Sequence, residues 1–237
     1  MRFDVVTLFP RMVDAPLSES IVGRARERGL LELGFANPRD FTQDRHRTVD
    51  DRPYGGGPGM LMMAEPLFNA VKSVRKRGSL VVVLSPHGRR YDQKTARRLA
   101  GKKHVVLVCG RYEGMDARFV EAVADEELSL GDFIITGGEA AAVAVIDSVA
   151  RLLPGVLKKE EAPVLESFSE PLLEAPQYTR PARWRGKSVP AVLLGGNHAV
   201  IEAWRRKKAQ ALTKRKRPDL LRNTEAKCHD DDKAGRS

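Results

Sequence analysis

Apolar residues fall into short runs that stop abruptly at glycine or at small polar residues, and three of the stops look alike. Leu80–Leu84 runs into Ser85-Pro86-His87-Gly88, Val105–Cys109 into Gly110-Arg111-Tyr112-Glu113-Gly114, and Phe133–Ile135 into Thr136-Gly137-Gly138. Runs this short, bounded by turn formers, read as buried strands. In open α/β sheets a ligand sits outside the carboxyl ends of the strands, so the three breaks are expected to converge on one cofactor. Elsewhere Phe3–Phe9 alternates as a strand closed by Pro10, Ser18–Arg28 reads as a short helix stopped by Gly29, and Leu30–Phe35 as a second strand. Leu67, Ala70, Val71 and Val74 mark a helix opening at Glu65-Pro66 and ending by Gly78. Asp92 is placed to cap a helix through Ala100, closed by Gly101, and Met115–Ala124 reads as another short helix. Glu126–Leu130 leads through Gly131-Asp132 into the third apolar run. Glu139–Leu153 is apolar nearly all round, so it must be buried on most sides, in the core or at a subunit interface.

The stretch from Asn37 to Met60 shows no such period. It holds Asp50-Asp51-Arg52-Pro53-Tyr54-Gly55-Gly56-Gly57-Pro58-Gly59-Met60 and is expected to be an irregular loop; loops this long in compact domains tend to carry function. Its glycines do not make a dinucleotide fingerprint, because no apolar strand precedes them and the last glycine is missing, and no Walker A pattern occurs. A glycine-rich bend beside Arg52 and Tyr54 lets backbone approach a phosphate or base closely.

Lys158–Gln177 carries Glu160, Glu161, Glu166, Glu170 and Glu174 with three prolines, the composition of a flexible linker. A helix follows from near Asn197 through Trp204, and Arg205–Arg217 places eight basic residues and no acid in thirteen positions. Such a run suits a phosphate backbone; a solvated helix face is the alternative. Residues from about Thr224 read as a disordered tail.

Charge changes the picture from a nucleotide-binding protein to one with a polyanionic partner. Against 31 Asp+Glu stand 41 Lys+Arg, a formal charge of +10 with pI near 9.8, which favours nucleic acid. Two cysteines, Cys109 and Cys228, form no metal-spaced cluster. The start of the chain lacks a signal-peptide layout and no apolar run approaches ~18 residues, so a cytoplasmic protein with no membrane association is expected. The residues alone support a basic α/β protein with a nucleotide-like pocket, an RNA-modifying enzyme and a non-catalytic RNA-binding protein both remaining open.

The motifs narrow this. The Asp50–Met60 loop, Leu84-Ser85-Pro86, Cys109-Gly110-Arg111-Tyr112-Glu113-Gly114, Ser129-Leu130-Gly131-Asp132, Thr136-Gly137-Gly138-Glu139, Pro154-Gly155-Val156-Leu157, Tyr178-Thr179-Arg180-Pro181 and Gly196-Asn197-His198 closely resemble, in order, the bacterial tRNA (guanine-N1) methyltransferase family of the trefoil-knotted SPOUT class. The resemblance spans roughly residues 1 to 221. It implies an α/β fold: a knotted parallel-sheet domain binding S-adenosylmethionine at 1–157, a flexible linker at 158–177, a small mainly helical tRNA-binding domain at 178–223 and a tail at 224–237. It also implies a homodimer with sites at the interface, a tRNA anticodon stem-loop as partner, methylation of N1 of the guanine 3′ of the anticodon at position 37, and a magnesium ion as a candidate accessory without a dedicated cluster. By the same resemblance the cofactor loops comprise Leu84, Ser85, Pro86 and Gly88; Gly110, Tyr112, Glu113 and Gly114; and Ser129, Leu130, Gly131, Asp132, Phe133, Ile134, Ile135, Gly137 and Gly138. Gly110 and Gly114 would allow close approach, with Tyr112 and Glu113 on the methyl-donor side.

Methylating guanine N1 requires a base for its proton and a donor at O6, where negative charge develops. The resemblance assigns Arg151 to the charge and Glu166 to the proton, with Glu170 as the fallback base. The chain departs from the pattern here, reading Glu166-Ser167-Phe168 where the family has Asp before Ser-Phe; a Glu keeps the carboxylate and lengthens its reach. A base stacked in an anticodon loop is out of reach of a cleft, so the guanine is expected to flip out while the linker orders around it. A knotted enzyme acting on a ribose 2′-hydroxyl is the competing enzymatic reading.

Overall fold

The computed structural model of the chain describes residues 1–158 and 166–221. The expected linker's residues 159–165 and the expected tail lie outside the described residues. The chain divides into two compact units, Met1–Glu160 and Glu161–Ser237.

In the first unit the runs of Val and Leu become strands β1 (Arg2–Val6), β2 (Glu32–Ala36), β5 (Leu80–Arg90), β6 (His104–Cys109) and β7 (Glu126–Ser129). They form one sheet in the order β2-β1-β6-β5-β7, with every neighbouring pair parallel. Parallel strands need crossover helices, which cover both faces, so the strands are apolar on both sides. In β6, Val105, Leu107 and Cys109 join the core formed with α1 (Pro10–Leu17), α2 (Ser20–Glu27), α4 (Gln93–Ala100) and α6 (Glu139–Ala150). Val106 and Val108 turn to the opposite core, against α3 (Ala64–Val74) and α5 (Ala117–Val123).

Four expectations change. Phe133–Ile135 is not a strand. The third strand is β7, and Phe133, Ile134 and Ile135 lie in the loop after it, 56, 80 and 40% exposed. An apolar run need not be a buried one, because composition does not say whether it gains partners. β5 does not end at Leu84 either: Leu128 of β7 faces both Leu84 and Arg89, so Ser85–Gly88 leaves the ladder as a bulge and the strand resumes. Pro10 opens α1, the position that proline's missing N–H suits, while β1 has already stopped at Val6. The 37–60 loop is not wholly irregular: Pro38–Phe41 makes a 3₁₀ turn, and β3 (Asp50–Asp51) pairs antiparallel with β4 (Leu61–Met62).

One buried polar cluster ties β1 to β6. Asp4, 1% exposed, accepts two hydrogen bonds from the Arg2 guanidinium, at 2.7 and 2.8 Å, and lies 2.8 Å from His104 Nε2, whose Nδ1 meets Ser79 Oγ at 2.7 Å. Burial pushes the Asp4 carboxyl up, yet the bonds from Arg2 and His104 outweigh it and hold it below the ordinary carboxylate range. A carboxyl depressed on folding stabilises the native state fully above its unfolded value of about 4, and that contribution fades as pH falls through the lower folded value. Urea melts from pH 5 downward are expected to show this loss, with Asp4→Asn flattening the pH dependence.

The second unit holds β8 (Arg183–Trp184) and β9 (Lys187–Ser188), joined by Arg185 and Gly186 at φ +46° and +79°, and the 19-residue α7 (His198–Lys216). Asn197 caps α7 by accepting a hydrogen bond from the Val200 N–H at 3.3 Å. The acidic, proline-rich segment expected as linker contains a turn from Glu166. Ser167 N–H donates to Glu174 Oε1, Glu174 N–H donates to Ser167 Oγ, both at 3.0 Å, and Leu173 N–H donates to Thr213 Oγ1 of α7 at 2.9 Å.

Candidate functional site

Strands β6, β5 and β7 lie side by side in the sheet, and the turn after β6, the bulge inside β5 and the segment through and after β7 enclose a cavity of about 730 Å³. That is a size suited to a nucleotide-like ligand. Its walls are the 84–87 bulge, the 110–115 turn and the 127–138 segment, with Leu61, α5 and Ala141 at the start of α6 completing them. Each cofactor residue expected from the sequence lines this cavity except two. Gly88 instead passes over β7, where an added Cβ would lie 2.4 Å from the Leu128 backbone nitrogen. Asp132 lies exposed beside the loop and is not in the wall.

Local geometry explains the residue types. Tyr112 holds φ +58°, the left-handed region, so that the turn reverses within a few residues; its hydroxyl lies 3.5 Å from the Arg39 guanidinium, and burial first and Asp50 second push it above the usual tyrosine range. The turn is tied to the long loop: Glu113 N–H donates to Met60 O at 3.0 Å and Met62 N–H to Gly114 O at 2.9 Å. Gly59, at φ +78°, leaves room for the Glu113 side chain, which an added Cβ would approach to 2.3 Å. Gly138 is needed for contact of another kind: its N–H donates to Gly110 O at 2.9 Å, and a Cβ there would stand 2.8 Å from Cys109 Cα. The Cys109 thiol beneath is wholly buried, and burial, reinforced by Glu139, pushes it well up.

Sequence reasoning missed one pair. Glu139, 1% exposed in the first turn of α6, accepts a hydrogen bond from Thr7 Oγ1 at 2.7 Å, and its other oxygen lies 2.9 Å from Arg111 Nε. The Arg111–Glu139 contact is too bent to count as a hydrogen bond, so both atoms are ion-paired without one. The signal was present as a charge at the head of the apolar run Ala140–Ile146, since a carboxylate there is rarely buried without a partner.

Arg151, assigned by resemblance to the developing charge, caps α6 and donates its N–H to Asp147 O at 3.2 Å. It does not line this cavity. Ten residues of helix separate it from Ala141, about 15 Å at 1.5 Å per residue. Glu166 and Glu170 stand on the turn of the second unit, where the Glu166 carbonyl accepts from Ser169 N–H at 3.1 Å. Among the described residues no group of three or more His, Cys, Asp or Glu side chains is arranged to hold a metal ion, and no helix is long and apolar enough to cross a membrane.

A parallel α/β sheet with a glycine-walled cavity built across neighbouring strands is the architecture of an enzyme whose cavity is large enough for a nucleotide-sized ligand. The family model described as tRNA (Guanine-1)-methyltransferase TrmD matches residues 1–223. The chain belongs to that family. It is 51% identical over 234 residues to a tRNA (guanine-N(1)-)-methyltransferase of Geobacter sulfurreducens, covering 98% of this chain and 96% of that protein. It is 54% identical over 223 residues to the protein of the same name from Caldanaerobacter subterraneus, covering 94% and 92%. A third such protein, from Carboxydothermus hydrogenoformans, is 50% identical over 222 residues, covering 94% and 88%.

Proposed function

We propose that this protein transfers a methyl group from S-adenosylmethionine to N1 of the guanine at position 37 of tRNA, 3′ of the anticodon. The observation that carries the reading is the convergence of the 84–87, 110–115 and 127–138 segments on one cavity in a chain of this family. The cavity suits the cofactor's adenosine: Gly110, Gly114, Gly131 and Gly138 put no side chain in the way of a purine lying close to the backbone, and Leu84, Leu130 and Phe133 supply apolar cover. Bound there, S-adenosylmethionine supplies an electrophilic methyl group. Glu166 would take the N1 proton of a flipped guanine while the Arg151 guanidinium holds the charge that grows on O6. Glu170 is the second carboxylate within reach of that role on the same turn.

The finer architecture belongs to the same proposal: a trefoil knot formed by the cavity loops, a linker over 158–177 that orders on the substrate, a C-terminal domain over 178–223 that grips the anticodon stem-loop, and a homodimer. The basic α7 and the exposed Trp184, flanked by Arg183 and Arg185, support an RNA-facing second unit. The exposure of Phe9, Met12 and Phe133–Ile135 together with Arg151's distance from its own cavity supports a second protomer. The test is transfer of label from S-adenosylmethionine to tRNA from a strain lacking the modification, with the methylated nucleotide mapped by mass spectrometry. Label at N1 of guanine 37 is expected. Label on another atom or nucleotide would refute the assignment, and no incorporation together with no cofactor binding would favour an RNA-binding protein without catalysis.

A further inference from the structure

The Arg111 side chain joins the 110–115 turn to the 133–138 wall, to the start of α6 and to α1 with the residue that precedes it. Its Nε lies 2.9 Å from Glu139 Oε2, one terminal nitrogen donates to Thr136 O at 3.2 Å, the other reaches Met12 Sδ at 3.0 Å, and its guanidinium carbon stands 4.5 Å from the centre of the Phe9 ring. Thr7 completes the cluster from the end of β1, donating to Glu139 while its hydroxyl accepts the Phe9 N–H at 2.9 Å. Within one protomer, among the described residues, the 133–138 wall is anchored at its far end by Gly138, whose N–H donates to Gly110 O and whose carbonyl accepts from Ala142 N–H, while its middle is tied to the 110–114 turn through Thr136 O and Arg111 and Phe133, Ile134 and Ile135 are exposed. Gly137 is shaped to this arrangement, since a Cβ there would come within 2.3 Å of Arg111 Nε and 2.6 Å of Arg111 Cδ and Cζ.

We propose that Arg111 is a positioning residue that holds the 133–138 wall against the 110–114 turn, so that cofactor affinity depends on it. The role needs the planar fork. A Lys keeps the charge for Glu139 but has a single donor head and cannot pair with Glu139 while also reaching Thr136 O and stacking on Phe9. Wall position sets binding because a ligand that must first order its own site binds more weakly by the fraction of time the site is formed.

The inference rests on the cofactor reading above, and the experiment separates the two. Arg111→Lys and Gly137→Ala, the second pushing Arg111 aside without removing it, are compared with the unaltered protein by amide hydrogen exchange of 133–138 without ligand, by calorimetry with S-adenosylmethionine, by RNA binding, and by steady-state kinetics. Both variants are expected to exchange at least about tenfold faster across 133–138. They are also expected to bind S-adenosylmethionine about tenfold more weakly, with KM for it raised by more than kcat at saturation falls, and with melting temperature and tRNA affinity unchanged. The double variant is expected to lose no more than the worse single one, as two routes to one displacement should. Unaltered exchange and affinity would overturn the proposal. So would a fall in melting temperature and tRNA affinity in parallel, the mark of a merely structural ion pair. If the unaltered protein binds no S-adenosylmethionine while both variants still loosen 133–138, the positioning stands and the cofactor reading falls.

Discussion

Replacing Glu166 with Gln is expected to slow methyl transfer by about 10²- to 10⁴-fold, the range in which a positioned general base contributes. Gln keeps the length and a hydrogen-bonding head but cannot take the N1 proton. The loss should therefore appear in the chemical step, measured in a single turnover with cofactor and tRNA saturating, and not in tRNA affinity. A carboxylate base must be ionised, so the wild-type rate should fall toward acid pH and the variant should lose that limb. The turn holding Glu166 is fastened by the Ser167–Glu174 exchange and by the Ser169 N–H donating to the Glu166 carbonyl, bonds that a Gln at 166 keeps. A variant transferring methyl at the wild-type single-turnover rate would remove Glu166 as base and move the test to Glu170→Gln.

Arg151→Ala is expected to lose about 10²- to 10³-fold in rate, the usual effect of deleting one donor to a developing oxyanion, with S-adenosylmethionine affinity kept. Equal losses of rate and affinity would indicate a binding role instead. Because Arg151 lies about 15 Å along α6 from the residue that lines its own cavity, the arginine is expected to serve the cavity of a second protomer. Mixed dimers decide this. Arg151→Ala chains retain a sound cavity, whereas Gly138→Val chains, with a side chain forced onto Cys109 Cα, retain the arginine. If the site is shared, one site of each mixed dimer regains both parts and about half the activity returns in that population, while each parent dimer is dead. Mixed dimers as inactive as their parents would place arginine and cavity in the same chain.

How much of this was legible in advance differs by residue. Val105–Cys109 and Leu80–Leu84 announced themselves, because a parallel strand covered on both faces has to be apolar at every position, and composition reports that directly. The motifs holding Gly110, Gly114 and Gly138 were legible as a group, and all three glycines line the same cavity. Phe133–Ile135 misled for the converse reason: apolar residues facing a cavity or a second chain look in sequence like residues facing a core. Gly88 shows why glycines are ambiguous: one needed for passage over a neighbouring strand is spelled like one needed for a ligand.

The sequence by itself determined the strand cores, the helix that starts at Glu139, the basic α7 and the family, since each rests on local composition, spacing or ordered motifs. Only the tertiary structure decided that β5 bulges at 85–88 and resumes, that β7 and not 133–135 is the edge strand, and that Arg111 and Glu139 meet with Thr7 across 132 residues of chain. Pairing register and buried ion pairs depend on which distant segments the topology brings side by side, and no local pattern carries that information.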